Sequence, residues 1–361
     1  MRFVFTPTGE PCGVETFTRT LLGALSDSAE CYEPLAVSGR WQDLPHLMAQ
    51  IAKSNQVVFS FPLVAWKRLL VQPLLLLVVA KIARCRVNVF LHEWAALHWL
   101  RRIFVLPFLL LGNSILVVSP FIADQLANSR WTAPAKRKAR LLPHPPTIRR
   151  PRSEKVTERV REVERAASQH DVVIGTFGAI YRGKSSIELL DICADMNGRN
   201  IRTLFVFIGS FTRALDDYER EFYAAVKQKG LEKHVIVSGY IADEEELFAL
   251  FERVGAFLFL FSEGLTSRRS SVIACLQSDR PVVVSAPHSM TEFDHHAGWQ
   301  ALIKSGAPMF VPPAASTAEI SELLLATVEQ VSEKKPAIDS EAWWRATTDL
   351  THRALDVGSH Q

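Results

Sequence analysis

Residues 257–284, FLFLFSEGLTSRRSSVIACLQSDRPVVV, decide how this chain folds. Residues 257–261 form an unbroken apolar run of the length expected for a strand covered on both faces. The chain then turns through Ser262-Glu263-Gly264, at the carboxyl end of that strand, where open parallel sheets place their ligands. Val272, Ile273 and Leu276 follow at helical spacing, so residues 270–276 read as a helix docking back on the sheet, with a second strand at 282–284. Arg268 and Arg269 therefore stand at the start of a helix. Two guanidiniums beside free backbone N–H groups suit a diphosphate. A helix end with two solvated arginines is the plain alternative.

Working outward, the second half repeats this alternation. Strands read at 172–177, 204–208, 235–238, 256–261, 282–284 and 309–311, with helices at 185–196, 215–229, 243–254 and 270–276 between them. Asp243 with Glu246, and Ser316 with Glu319, have capping-box spacing. The first half alternates too, with strands at 2–6, 56–61, 86–91 and 115–118. The fold class is α/β with right-handed crossovers. From 128 to 170 the pattern fails in a basic, proline-rich stretch (Pro143-His144-Pro145-Pro146) and a charged helical segment at 154–167. The expected division is a domain over 1–150, a link over 151–170 and a nucleotide-binding domain over 171–339.

At 361 residues the chain can bury two full cores, and 48% hydrophobic with 22% charged residues excludes a disordered chain. Cys12, Cys31, Cys85, Cys193 and Cys275 contain no CxxC pair, which speaks against a zinc site or disulfide framework and suits a reducing compartment. Met1-Arg2 runs directly into Phe3-Val4-Phe5 without the pattern of a signal peptide, the start expected of a cytoplasmic domain.

The net charge of +3 hides an asymmetry: residues 44–152 carry sixteen Lys and Arg against only Glu93 and Asp124. Two apolar stretches run through this region, at 69–80 and 103–123. The first is short and broken by Gln72-Pro73. Pro107, Gly112-Asn113-Ser114 and Ser119-Pro120 cut the second into a short helix, a turn and a strand, so neither is expected to span a membrane. Basic residues flanking them (Lys67, Arg68, Lys81, Arg84, Arg101 and Arg102) suit a face lying on an anionic membrane. A hydrophobic core with a solvated basic rim is the competing reading. Nucleic acid is not the expected partner, because Trp66, Trp94, Trp99 and Trp131 are not interleaved with basic residues.

Three further places carry chemistry. Gly175, Gly178, Arg182, Gly183 and Lys184 follow the first strand of the second half as a glycine-rich anion cradle. Residues 178–185 also fit the P-loop pattern G-x-x-x-x-G-K-[ST], but no apolar run ending in Asp follows to hold a magnesium ion. His92-Glu93 stands at the end of the strand over 86–91; His92 is a natural base or hydrogen-bond partner near neutral pH. Glu93 could serve as base in an inverting reaction. Glu292, Asp294, His295 and His296 have metal-ligand chemistry, yet read as a solvated loop. No Asp-x-Asp occurs, so metal-bridged diphosphate binding is not expected and no metal site is assigned.

The order Glu263-Gly264, then a helix ending Ala274-Cys275, then Arg280-Pro281-Val282-Val283 resembles the donor segment of GT-B glycosyltransferases, most of all the retaining family-4 enzymes with an E-x7-E pattern. The resemblance implies two Rossmann-like domains facing a cleft, with a final helix over 340–361 crossing back to the first. It implies that Glu263 bonds the donor sugar, while Ser271 occupies the place of the second, ribose-binding glutamate. Arg268 belongs to the arginine pair of a variant branch. Gly178, Arg182 and Lys184 resemble the diphosphate-neutralising element, and Gly13-Val14-Glu15 the Gly-Gly-Val-Glu signature at the donor phosphate. Gly209, Gly239 and Gly264 fall at strand ends along the donor, and His92 at the donor sugar or acceptor. The implied activity is metal-independent hexosyl transfer, with retention, from a nucleotide diphosphate sugar to a lipid-linked saccharide. It would take place at the inner face of a bacterial membrane in surface polysaccharide or exopolysaccharide assembly, without a cofactor. A GT-B nucleotide-sugar epimerase, or a subunit that binds without turnover, are the other readings.

Overall fold

Two parallel six-stranded sheets organise the chain, one in each of two compact units, residues 1–147 with 340–361 and residues 148–339. The structure is a computed structural model, and it describes residues 2–5, 13–26, 32–62, 71–95, 97–128, 130–212, 217–278, 280–329 and 337–356. Lys67, Arg68, Cys12 and Cys31 lie outside them.

The first unit runs β1 (Arg2–Phe5), α1 (Gly13–Ser26), β2 (Glu33–Ala36), α2 (Leu44–Ala52), β3 (Gln56–Phe61), α3 (Val71–Ile82), β4 (Arg86–Leu91) and α4 (Trp99–Leu111). It continues with β5 (Ser114–Val117), α5 (Pro120–Ala127), α6 (Ala133–Lys136) and β6 (Ala139–Leu141). The sheet order is β2-β1-β3-β4-β5-β6. The interior strands are the apolar runs legible in sequence, because helices cover both faces. The two edge strands, β2 and β6, were not expected: only Leu35 of β2 is buried, and β6 has no buried residue. Short edges without an apolar run carry no periodic signal.

Alternate residues divide the sheet's faces. Thr18 of α1 donates to Ser60 (3.1 Å), and Phe17 packs on Phe90, whose register partner is Ser60. On the other face Phe59 and Phe61 pack on Phe108 of α4 with ring centroids 5.0 and 4.7 Å apart. Pro107 does not end α4, which continues to Leu111 ahead of the expected turn and strand. Proline removes only the hydrogen bond to the carbonyl four residues back, that of Ile103, which lies on the exposed side. Lys81 and Lys138 donate to the carbonyls of Leu111, Leu110 and Gly112, so two cations complement the carboxyl end of α4.

The second unit runs α7 (Glu158–Ala167), β7 (Val172–Phe177), α8 (Ser186–Gly198), β8 (Thr203–Ile208), α9 (Tyr218–Gln228), β9 (Val235–Val237), α10 (Glu244–Phe251) and β10 (Ala256–Phe259). Then come α11 (Ser270–Leu276), β11 (Val282–Ser285), α12 (Ala297–Lys304), β12 (Pro308–Val311) and α13 (Thr317–Glu329). Its sheet order is β12-β11-β10-β7-β8-β9. The segment read as a link is docked on this unit: Arg253 pairs with Glu154 (2.7 Å) and Glu164 (2.8 Å), and Thr157 donates to Glu246. Ser316 and Glu319 close a reciprocal capping box ahead of α13.

The final helix, α14 (Ser340–Asp356), belongs to the first unit. Trp344 donates to the Pro146 carbonyl at 2.9 Å, and Thr347 to that of Pro143 at 2.9 Å. No helix among the described residues is long and apolar enough to cross a membrane. Cys85, Cys193 and Cys275 are buried.

Candidate functional site

The second sheet reverses direction between β7 and β10: the chain runs outward through β8 and β9, then returns to the other side of β7. A doubly wound sheet opens its ligand crevice at that point, beyond the carboxyl ends of the strands. The two turns that leave β7 and β10 there hold Gly178 to Lys184 and Glu263 to Arg269. Most of the expected donor residues of this unit converge on that place.

Glycine sets the geometry of the β7 turn. Gly178 (φ +111°) has Lys184 Nζ only 2.6 Å from where a Cβ would stand, with Ser271 Cβ 3.6 Å from the same point. Gly209, at the end of β8, lies so close that a Cβ there would overlap the Gly178 carbonyl. Its N–H donates to Ser238 Oγ at 3.1 Å. Ser185 takes the left-handed conformation (φ +48°) that lets the chain enter α8 directly behind Lys184.

Lys184 is half-buried and donates weakly to the Phe177 carbonyl at 3.4 Å. Burial, reinforced by the charge of Arg269, pushes its ammonium down to about 7. Arg269 lies over the Phe261 ring, its guanidinium carbon 4.1 Å from the centroid. Glu263 Oε1 accepts from Arg268 Nη2 at 3.0 Å and from Arg269 Nη2. Two guanidiniums thus share one carboxylate, and Lys184 adds a third basic group. The cluster carries an excess of positive charge in a half-buried setting, the condition for charge-assisted binding of an anion.

The turn carrying these arginines is fixed from beneath. Ser267 donates to Glu292 Oε1 through both its N–H (2.9 Å) and its Oγ (2.8 Å), and Trp299 Nε1 donates to the Ser267 carbonyl at 3.1 Å. Glu292, Phe293 and His296 are buried, which corrects the expectation of a solvated loop. The physical reason is Ser267, whose two donors need an acceptor inside the fold. No group of three or more potential metal ligands occurs among the described residues.

The other expected site residues stand apart from this cluster. Arg182 turns outward to a two-pronged pair with Glu221 (2.6 and 2.7 Å) and lies over the Tyr218 ring. Gly239 lies two residues past β9, with φ +76° and open space where a Cβ would stand; Gly264, within the turn after β10, has φ +69°, and a Cβ there would also strike the Ala286 carbonyl. In the first unit, Gly13 opens α1. His92 is buried at the end of β4, stacked on Phe90 (4.7 Å) and edge-on to Phe17 (5.2 Å), with half-buried Glu93 beside it. Arg102 is engaged by the Leu97 and Ala95 carbonyls, whereas Arg84 is exposed and Arg101 half-buried. Sequence reasoning named Arg269 with Arg268 as a pair suited to a diphosphate and missed the place of Glu292, because a buried carboxylate 25 residues from its partner leaves no signal.

This architecture is the GT-B fold. The crystal structure of Anabaena HepE in complex with UDP-glucose matches with a TM-score of 0.64 at 12% identity, over 100% of each chain. Sucrose-phosphate synthase from Thermosynechococcus elongatus matches at 0.62 and 15% identity, over 99% of this chain and 94% of that one. A glycosyltransferase from Rickettsia africae matches at 0.61 and 10% identity, over 99% and 97%. At these identities the likeness establishes the fold. No protein-family model matches the chain, and no curated protein matches its sequence.

Proposed function

We propose that the protein is a glycosyltransferase that takes a hexosyl group from a nucleotide diphosphate sugar. The observation that carries this reading is the convergence of Lys184, Arg269, Arg268 and Glu263 at the switch point of the second sheet. Structural neighbours with the same fold include one that binds UDP-glucose, which supports the donor class.

In this reading Lys184 and Arg269 hold the diphosphate, and Ser271 flanks it. Their charge stabilises the nucleoside diphosphate as it leaves, the role a metal ion plays elsewhere, so transfer proceeds without one. Glu263 accepts from hydroxyls of the donor sugar, as the first glutamate does in the family-4 enzymes whose E-x7-E segment this turn resembles, with Ser271 in place of the second. Arg182, held by Glu221, stays outside the donor set. His92 and Glu93 serve the sugar or the acceptor.

The acceptor in this reading is a lipid-linked saccharide, met at the inner face of a bacterial membrane during surface polysaccharide or exopolysaccharide assembly. The basic first half supports it, with sixteen cations against two acids over residues 44–152. The test is a thermal-shift screen of nucleotide diphosphate sugars, followed by a transfer assay with the stabilising donor. A donor at a hundred times its dissociation constant should add about 2.7 kcal/mol of stability. Stabilisation without release of nucleoside diphosphate to any saccharide acceptor would leave a binding protein and defeat the transferase reading.

A further inference from the structure

α3 and α4 lie on the same face of the first sheet. Both follow right-handed crossovers made in the same direction, from β3 to β4 and from β4 to β5. Their carboxyl ends meet where Lys81 of α3 donates to the Leu111 carbonyl of α4 at 3.1 Å. Each helix buries one side on the sheet and leaves an apolar ridge outside. On α3 the ridge is Val71, Val78 and Ile82; on α4 it is Trp99, Ile103 and Leu110. Both sets recur at spacings of four, seven or eleven residues, so each forms one stripe. The exposure is large: 78% for Ile82 and 60% each for Trp99 and Ile103. Scattered apolar residues on a surface need no explanation, but two parallel stripes on neighbouring helices do.

The charges on these two helices are of one sign. Neither helix contains an Asp or Glu. Lys81 and Arg84 are exposed at one end and Arg101 is half-buried at the other. The side chains of Arg84 and Arg101 have no hydrogen bond or ion pair among the described residues, only their backbone N–H groups being engaged. An apolar stripe bordered by uncompensated cations complements a surface that is apolar within and anionic at its rim.

We infer that the α3–α4 face docks on an anionic lipid bilayer, with its two ridges in the headgroup–acyl boundary and Arg84 and Arg101 against lipid phosphates. The inference rests on the proposed lipid-linked acceptor and names the surface that brings the protein to it. It replaces a general basic half with a defined helix pair lying in the membrane plane.

The test is flotation of the full chain with vesicles of phosphatidylglycerol in phosphatidylcholine, against vesicles of phosphatidylcholine alone. Two variants accompany it, Val78→Glu with Ile103→Glu, and Arg84→Glu with Arg101→Glu. All four positions are exposed or half-buried, so the fold should persist, and nucleoside diphosphate binding by calorimetry reports on it. The expected result is binding to the anionic vesicles only, weakened about tenfold or more by each variant, which corresponds to at least about 1.4 kcal/mol. Nucleotide affinity should not change. Equal binding to neutral vesicles, or binding indifferent to both variants, would overturn the inference. So would self-association in sedimentation that Ile103→Glu abolishes, since the face would then belong to a second copy. Loss of vesicle binding with intact nucleotide binding removes only this surface; absence of nucleotide binding in the wild type removes the donor reading instead.

Discussion

Arg269 stands over Phe261, with its guanidinium carbon 4.1 Å from the ring centroid. The cation–π contact holds the guanidinium over the ring while its Nη2 donates to a carboxylate. In the structure that carboxylate is Glu263. The proposed donor brings a second candidate, its diphosphate, to the same guanidinium.

Competition between these anions gives the first expected outcome. Glu263→Ala should abolish transfer, since the sugar loses its acceptor of hydrogen bonds. It should leave nucleoside diphosphate affinity unchanged or raise it, because Arg268 and Arg269 lose the carboxylate they share. Calorimetry beside a transfer assay separates the two effects. An alanine variant with full activity would remove Glu263 from the chemistry.

Lys184 gives a pH dependence with a defined sign. Burial and Arg269 push its ammonium down to about 7, while the unfolded chain keeps this lysine charged to about 10.4. Between those values the unfolded state binds more protons than the folded one, so this residue makes stability rise with pH across that window. A diphosphate beside Nζ favours the ammonium. Binding at about pH 8 should therefore take up a proton, and affinity should fall as the pH rises further. Calorimetry in buffers of different ionisation enthalpy reads the uptake directly. No uptake at that pH would mean that Lys184 is an ordinary ammonium or does not meet the phosphate.

Glu292 should matter through the turn it fixes. Both donors of Ser267 end on the same oxygen, Oε1. Glu292→Ala strands buried donors and should cost about 1–3 kcal/mol in urea unfolding, whereas Glu292→Gln keeps an acceptor and should lose much less. Equal losses in the two variants would show that the carboxylate charge, not the acceptor, holds the turn.

These residues mark how far the sequence could be read. The interior strands, their order of alternation and the Glu263-Gly264 turn were legible because burial on both faces leaves long apolar runs. The edge strands β2 and β6 were not, since edges bury little and need no such run. The continuation of α4 past Pro107 rests on the packing of Phe104 and Phe108 against Phe61, which local propensity cannot report. Within the candidate site the turns were legible but the side-chain directions were not. Arg182 turns to Glu221 and Arg269 to Glu263 because of neighbours on other elements. Glu292 looked solvated because its partner lies 25 residues away.

The central claim is that Lys184 and Arg269 form the diphosphate site of a nucleotide-sugar transferase. It is tested most directly by titrating nucleoside diphosphates and the matching nucleosides into wild type, Lys184→Ala, Arg269→Ala and Arg182→Ala. The account predicts that one nucleoside diphosphate binds the wild type and that removal of either Lys184 or Arg269 weakens it by about 2–5 kcal/mol. It predicts little change for the nucleoside and little change for either ligand in Arg182→Ala. Binding that survives loss of both Lys184 and Arg269, or a wild type that binds no nucleoside diphosphate, would contradict it.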